Sequence, residues 1–284
     1  MNFYIIIPVH NEEKYISQTL QSIVNQILKP KKLVVVNDNS SDNTGLIIND
    51  FVKRFDWIQN VENKSSNFHL PGTKTINAFY AGYEILDEDY DVLCKFDGDL
   101  IFEPNYLSSL KVNFENNPRL GMFGGVCYIK KENNWILENL SQNNHIRGAL
   151  KAYRKECFFQ VGKLRRAIGW DTLDELLAQY YQWEVLVDGS LKVKHLKPTG
   201  FNYSKGSTLL QGEAIYRMRL GWLLTLIIAI KRGMVVQSFG VFWSYLKGYS
   251  IAKKNKTPFT VDQLQGKFLR KYRWRMILRR IKPK

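Results

Sequence analysis

An α/β fold on a mostly parallel, doubly wound sheet is what this sequence predicts, and three observations predict it. Apolar runs of strand length alternate with stretches whose apolar residues recur at helical spacing. The principal runs end in polar or acidic clusters, as happens where buried strands surface at the ligand-binding edge of such a sheet. With 284 residues and 45% hydrophobic content, the chain suffices for one large domain with an appendage and is too apolar for general disorder.

Phe3–Ile7 reads as a strand buried on both faces, ended by Pro8. It delivers Val9-His10-Asn11-Glu12-Glu13 into a loop, with Asn11 as a cap for a helix carrying Ile16, Leu20, Ile23, Val24 and Ile27. Leu33–Val36 is the next strand, and the run from Asn37 to Thr44 turns and caps a helix with Ile47, Ile48, Phe51 and Phe55 on one face. A short strand near Ile58–Val61 and a helix over Thr73–Leu86 lead to the run Asp91–Phe96. That run stops at Asp97-Gly98-Asp99, which is consistent both with a polar turn and with a site for a hard divalent cation. Neither GxGxxG nor GxxxxGK[ST] occurs, so no glycine-rich phosphate cradle is encoded.

Further along, Pro104–Glu115 predicts a helix and Leu120–Ile129 a glycine-loosened strand. Gly169–Leu177 predicts a helix start rich in acids. Trp183–Val187 and Leu191–His195, joined by Asp188-Gly189-Ser190, predict a hairpin.

Charge is unevenly spread. Residues 200–284 hold 18 of the 41 Lys and Arg but 2 of the 26 Asp and Glu, so the net +15 belongs to the tail. Leu220–Ile230 is apolar but too short to span a bilayer, Val235–Ile251 mixes aromatics with polar residues, and Gln263–Arg280 sets Leu264, Phe268, Tyr272 and Met276 at four-residue intervals among basic residues. This composition favours an amphipathic helical region on an anionic membrane surface over nucleic acid, with packing on protein as the bland reading. Cys94, Cys127 and Cys157 lie far apart without CxxC pairing, which suits reduced core thiols, and the N-terminus lacks the basic region of a signal peptide. A cytoplasmic location, peripheral on the inner face of the cell membrane, is the expectation.

The segments Ile5–Glu13, Val34–Asp42 and Asp97-Gly98-Asp99 resemble, in order and spacing, the three nucleotide-sugar motifs of family 2 glycosyltransferases with the GT-A fold. Asn37 stands where that family more often has Asp, and His10 where Tyr is common. The resemblance implies a catalytic domain over 1–200, with a nucleotide-sugar half to residue 100 and an acceptor half after it, followed by the basic tail from 201. It implies that Pro8, Val9, Glu12 and Asp38 line the nucleoside pocket, with Lys74, Asn77 and Asp97 as further nucleotide contacts. Asp99, Asp97 and His195 are the metal candidates, for Mg²⁺ or Mn²⁺, and Arg147, Arg154 and Trp170 the acceptor or sugar candidates; the block Arg147–Glu156 resembles the family's acceptor-side segment, in which a strand runs into a short helix. Asp171 is the general-base candidate, with Asp174 as fallback, although the pair also resembles a capping box.

The function expected is inverting transfer of a hexosyl or N-acetylhexosaminyl group from a nucleotide sugar, chiefly a UDP-sugar, to a saccharide or lipid-linked acceptor in polysaccharide or glycoconjugate synthesis. The alternative is a non-catalytic, membrane-recruited sugar-nucleotide-binding protein on the same scaffold. Oligomeric state is left open.

Overall fold

The computed structural model describes residues 1–64, 73–138, 145–197 and 207–281. Two compact units emerge, one of Met1–Arg166 with Asp171–Thr199 and one of Ala167–Trp170 with Gly200–Lys284.

The first unit is built on β1 (Phe3–Val9), β2 (Lys32–Asp38), β3 (Ile58–Asn63) and β4 (Val92–Phe96), with α1 (Ile16–Val24), α2 (Thr44–Arg54) and α3 (Thr73–Tyr83) as connections. These four strands are parallel, in the order β3-β2-β1-β4. β1 and β4 are buried along their whole length, which is why β1 reads as a continuous apolar run and β4 as one interrupted by Lys95. Pro8 does not end its strand. β1 continues to Val9 on the β2 side, while its ladder with β4 stops at Ile6, so the ring with no N–H sits where only one neighbour is bonded. Nor does Asn11 cap α1: its backbone is left-handed (φ 53°), and its side-chain oxygen accepts from Ser41 N at 2.8 Å, tying the loops after β1 and β2 together.

Beyond β4 the sheet is mixed. β5 (Leu100–Phe102), α4 (Tyr106–Asn116), β6 (Leu120–Lys131), β7 (Asn134–Leu137), β8 (Leu150–Arg154), α5 (Lys155–Gln160), α6 (Trp170–Tyr180) and β9 (Glu184–His195) follow in sequence. Among the described residues the nine-stranded sheet runs β3-β2-β1-β4-β8-β6-β9-β5, with β7 on β6. β8 is antiparallel to both β4 and β6. The hairpin predicted over 183–195 is a single strand instead. β9 pairs in parallel with β6 on both sides of Asp188–Ser190, with a register shift between Gly124 and Val126. The turn-like residues make a bulge: Asp188 Oδ1 accepts from Ser190 N at 2.8 Å, and a Cβ on Gly125 would lie 2.3 Å from Leu191 O.

In the second unit, α7 (Ser207–Arg217) and α8 (Trp222–Val236) each pack on α9 (Phe239–Lys254), and α10 (Gln263–Ile281) follows. α10 departs from the amphipathic reading. Residues at four-residue spacing drift about 40° per step around a 3.6-residue helix, so they do not hold one face. Leu264 and Leu278 are exposed, and the buried positions are Gln265, Gly266 and Leu269. The three cysteines are buried and free.

Candidate active site

Parallel pairing of β1 to β4 brings the loops after Val9, Asp38 and Phe96 to one edge. Along it, Asp38 is buried, its Oδ1 accepts from Asn63 Nδ2 at 2.8 Å, and its carbonyl faces His10 Nδ1 at 2.7 Å. Thr44 Oγ1 accepts the Glu12 backbone N–H at 2.8 Å, and Lys197, just past β9, pairs with Glu12 Oε1. The other carboxylate oxygen of Glu12 is buried with no hydrogen-bond partner. Burial raises the Glu12 carboxyl above its ordinary pKa, against the opposing pull of Lys197.

The turn after β4 carries Asp97 and Asp99. Gly98 is required between them because a Cβ there would lie 2.5 Å from Val9 Cγ1, so the turn can seat against β1 only with no side chain. Asp97 pairs with the buried Lys95, whose Nζ also donates to Gly148 O at 3.0 Å, and Asp97 N donates to Ala149 O at 2.8 Å. Asp99 is buried with Oδ2 3.4 Å from His195 Nε2. The other imidazole nitrogen is held by Glu138 at 2.9 Å, and Glu138 also meets Arg147 at 3.1 Å. Burial disfavours the His195 cation, but Asp99 and Glu138 outweigh it and raise its pKa to about 9. Cys127, Glu138 and His195 place ligand-type atoms within 4.8 Å of one another.

β8 joins this edge to a second cluster. Its register sets Lys151 opposite Lys95, so the cations serving Asp97 and the helix α6 stand on neighbouring strands. Lys151 is fully buried and donates to Asp174 Oδ1 at 2.7 Å, to Glu175 Oε1 at 3.0 Å and to the Asp171 carbonyl. Tyr153 donates to the remaining Asp174 oxygen. Burial, with the charge of Glu175, pushes Asp174 up to about 7 despite Lys151. Asp171 is different: its side chain is 33% exposed against 2% for Asp174. Burial would raise the Asp171 carboxyl, but His145 and Lys151 more than offset this and hold it below its ordinary value.

A model of the family described as "Glycosyl transferase family 2" matches residues 4–166, more than half of the chain. The chain belongs to glycosyl transferase family 2. Over 124 residues it is 36% identical to a probable glycosyltransferase, YdaM, of Bacillus subtilis, covering 43% of this chain and 28% of that one. A poly-beta-1,6-N-acetyl-D-glucosamine synthase of Staphylococcus epidermidis is 29% identical over 120 residues, 42% of this chain and 27% of the relative. The chain thus spans roughly a quarter of the length of these curated relatives. Among solved structures, S. aureus TarS 1–349 in complex with UDP-GlcNAc aligns with TM-score 0.57 at 18% identity, over 78% of this chain and 65% of that one. A mannosyltransferase from Pyrobaculum calidifontis in complex with GDP-Man and Mn²⁺ aligns with TM-score 0.55 at 12% identity, over 94% and 78%. These likenesses show the GT-A fold.

Within this family 2 chain, the site candidates divide by position. Pro8, Val9, Glu12, Asp38, Asp97, Asp99, Arg147 and His195 come to the sheet edge or to residues bonded to it. Lys74 lies in the first turn of α3, whereas Asn77 is one turn on, with Oδ1 taken by Arg166 at 2.7 Å. Arg154 is not at this edge. It pairs with Val92 at the other end of β4, where its guanidinium donates to the carbonyls of Leu120 (2.8 Å) and Asn117 (3.0 Å), clamping the end of α4. Asp174 is committed to Lys151 and Tyr153, whereas Asp171 keeps about a third of its side chain accessible. Trp170 is buried and groups with the second unit. Lys95, Glu138, His145, Lys151, Glu175 and Lys197 escape sequence reasoning, because each looks like a surface charge until its partner, between 2 and 185 residues away, is known.

Proposed function

We propose that this protein is an inverting glycosyltransferase that uses a nucleotide sugar, with a UDP-sugar favoured, to glycosylate a saccharide or lipid-linked acceptor. The carrying observation is a single sheet edge that gathers Glu12, Asp38, Asp97 and Asp99, joined through the Lys95 and Lys151 strand pair to the half-buried Asp171. Structural neighbours in complex with UDP-GlcNAc, UDP and GDP-Man support a nucleotide-sugar donor, and a poly-beta-1,6-N-acetyl-D-glucosamine synthase among the relatives supports a hexosamine. The orphan Oε2 of Glu12 suits a donated hydroxyl or base N–H.

Asp99 and Asp97 offer the carboxylate oxygens that Mg²⁺ and Mn²⁺ select, and Glu138 orients His195 as a supporting carboxylate does for a metal-bound imidazole. When bound, such an ion offsets charge on the departing diphosphate. Asp171 takes the proton of the acceptor hydroxyl, and Lys197 adds positive charge beside Glu12. Thermal unfolding with UDP-GlcNAc, UDP-glucose and GDP-mannose, each with Mn²⁺, tests the reading, since a ligand of the folded state raises the midpoint. A rise with a UDP-sugar that Asp99→Ala removes supports it; no rise with any of the three sinks it.

The basic tail is assigned to an anionic membrane surface at the cytoplasmic face. No helix of the described residues is long and apolar enough to cross a membrane. Where α8 turns into α9, Met234, Val235, Val236, Phe239 and Trp243 are all exposed, beside Lys231 and Arg232, and no Asp or Glu occurs from 214 to 261. Exposed apolar residues ringed by cations match the interface of an anionic bilayer.

A further inference from the structure

We propose that His145 is a positioning residue for the transfer reaction, an imidazolium that orients Asp171 and keeps its carboxylate ionised, with Glu175 as the anchor of the ring. This rests on the reading of Asp171 as the acceptor base. His145 lies just ahead of β8 and reaches across to α6 with both nitrogens. Nδ1 is 2.9 Å from Glu175 Oε2, and Nε2 is 3.6 Å from Asp171 Oδ2. A neutral imidazole has one N–H, so one of those carboxylates would face a lone pair; the imidazolium alone offers a donor to each.

Glu175 is fixed independently of the ring. Its Oε1 accepts the Ile146 backbone N–H at 2.9 Å and Lys151 Nζ at 3.0 Å, so its Oε2 is a rigid hook for Nδ1. The ring is thereby aimed at Asp171 by a carboxylate that itself stays away from solvent. The charges then sort themselves. Among the described residues, Asp171, Asp174 and Glu175 on α6 meet two cations, Lys151 on β8 and His145. With all three ionised one negative charge would be left over, and Asp174, which burial pushes up to about 7, is the acid that sheds it by taking a proton, leaving Lys151 and His145 to face Asp171 and Glu175. These same neighbours raise His145 to about 9: burial works against the cation, and the carboxylates of Asp171 and Glu175 beside the ring overcome it.

In the transfer step the acceptor O–H bond breaks and its proton goes to Asp171. The acceptor oxygen forms a bond to the sugar's anomeric carbon, whose bond to the diphosphate breaks with the electron pair leaving on the nucleotide. His145 gains and loses nothing in that step. Its effect is to hold Asp171 in the charged form that can accept a proton, and in one orientation, at some expense in basicity.

Nuclear magnetic resonance on the full chain, without any substrate, tests the idea. With ¹⁵N-labelled histidine, the ring nitrogens of His145, assigned by their loss in His145→Gln, are expected to report an imidazolium at about pH 7.5, above the ordinary histidine midpoint of about 6.5. With ¹³C-labelled aspartate, the Asp171 midpoint is expected to rise by about one pH unit or more in His145→Gln, as follows when an opposite charge is withdrawn. A smaller rise in the same direction is expected in Glu175→Gln, which loosens the ring. A neutral His145 in the wild-type chain overturns the proposal, as does an Asp171 midpoint that stays put in His145→Gln. If that variant does not fold, the wild-type nitrogen spectrum, assigned through His10→Gln, His69→Gln and His195→Gln, decides. Transfer activity surviving Asp171→Asn would instead sink the base reading while leaving the measured coupling intact.

Discussion

Replacing Lys151 by Met removes one buried charge while keeping most of the volume of its stem. In the native protein that ammonium serves Asp174 at 2.7 Å, Glu175 at 3.0 Å and the Asp171 carbonyl, with no solvent exposure. Breaking a buried pair by deleting one partner costs about 3–5 kcal/mol, because the surviving charge is left uncompensated. Asp174 limits the loss by taking up a proton, since burial already holds it at about 7. For a chain of this size about 1 kcal/mol moves the midpoint by about 2–4 °C, so a fall of roughly 6–20 °C is expected. The sign with pH follows from Asp174. Its folded pKa lies above the unfolded 3.8, so the folded form binds extra protons and stability falls as pH rises from 3.8 to about 7. Without Lys151 that window extends upward, and the deficit relative to wild type is expected to be larger at about pH 8.5 than at about pH 6. Circular dichroism melts at the two pH values measure it. A midpoint within about 2 °C of wild type at both, or a deficit that shrinks with rising pH, would refute the reasoning.

Other outcomes follow from the same structure. Asp171→Asn should keep the nucleotide-dependent rise in midpoint and lose turnover by about 10²-fold or more, read by nucleotide release. Gly98→Ala should destabilise by about 1–3 kcal/mol, seen in urea unfolding, because its Cβ would sit 2.5 Å from Val9 Cγ1. His145, raised from 6.5 to about 9 in the fold, should contribute stability that is complete below pH 6.5 and lost by about 9; a His145→Gln chain should lack that decline in a pH series of melts. Phe239→Ser with Trp243→Ser should weaken sedimentation with phosphatidylglycerol vesicles and leave the nucleotide response unchanged, since both residues lie in α9 of the second unit. Equal sedimentation of wild type and variant would remove the α8–α9 turn from the membrane contact.

The sequence by itself determined the strands and helices of the first half and the edge on which its acids converge. Ile5–Ile7, Leu33–Val36 and Val92–Phe96 are buried on both faces, so their burial is written in the composition of each short run. The motif at Asp97-Gly98-Asp99 is legible for the same reason, since a strand end and its turn are local. β5 and β7, at three and four residues, are too short to carry a period, and Asp188–Ser190 looks like a hairpin turn because a bulge uses the same residue types. Tertiary structure alone decided which charges meet. Arg147 and Arg154 are indistinguishable in sequence, yet the direction of β8 sends one to Glu138 at the site and the other to the end of α4. Asp171 and Asp174 sit three residues apart in one helix, and only the packing of β8 against α6 buries Asp174 on Lys151 and leaves Asp171 open beside His145. Propensity and periodicity act over a few residues, whereas an ion pair is fixed by strand register and direction, which bring together residues that are distant along the chain.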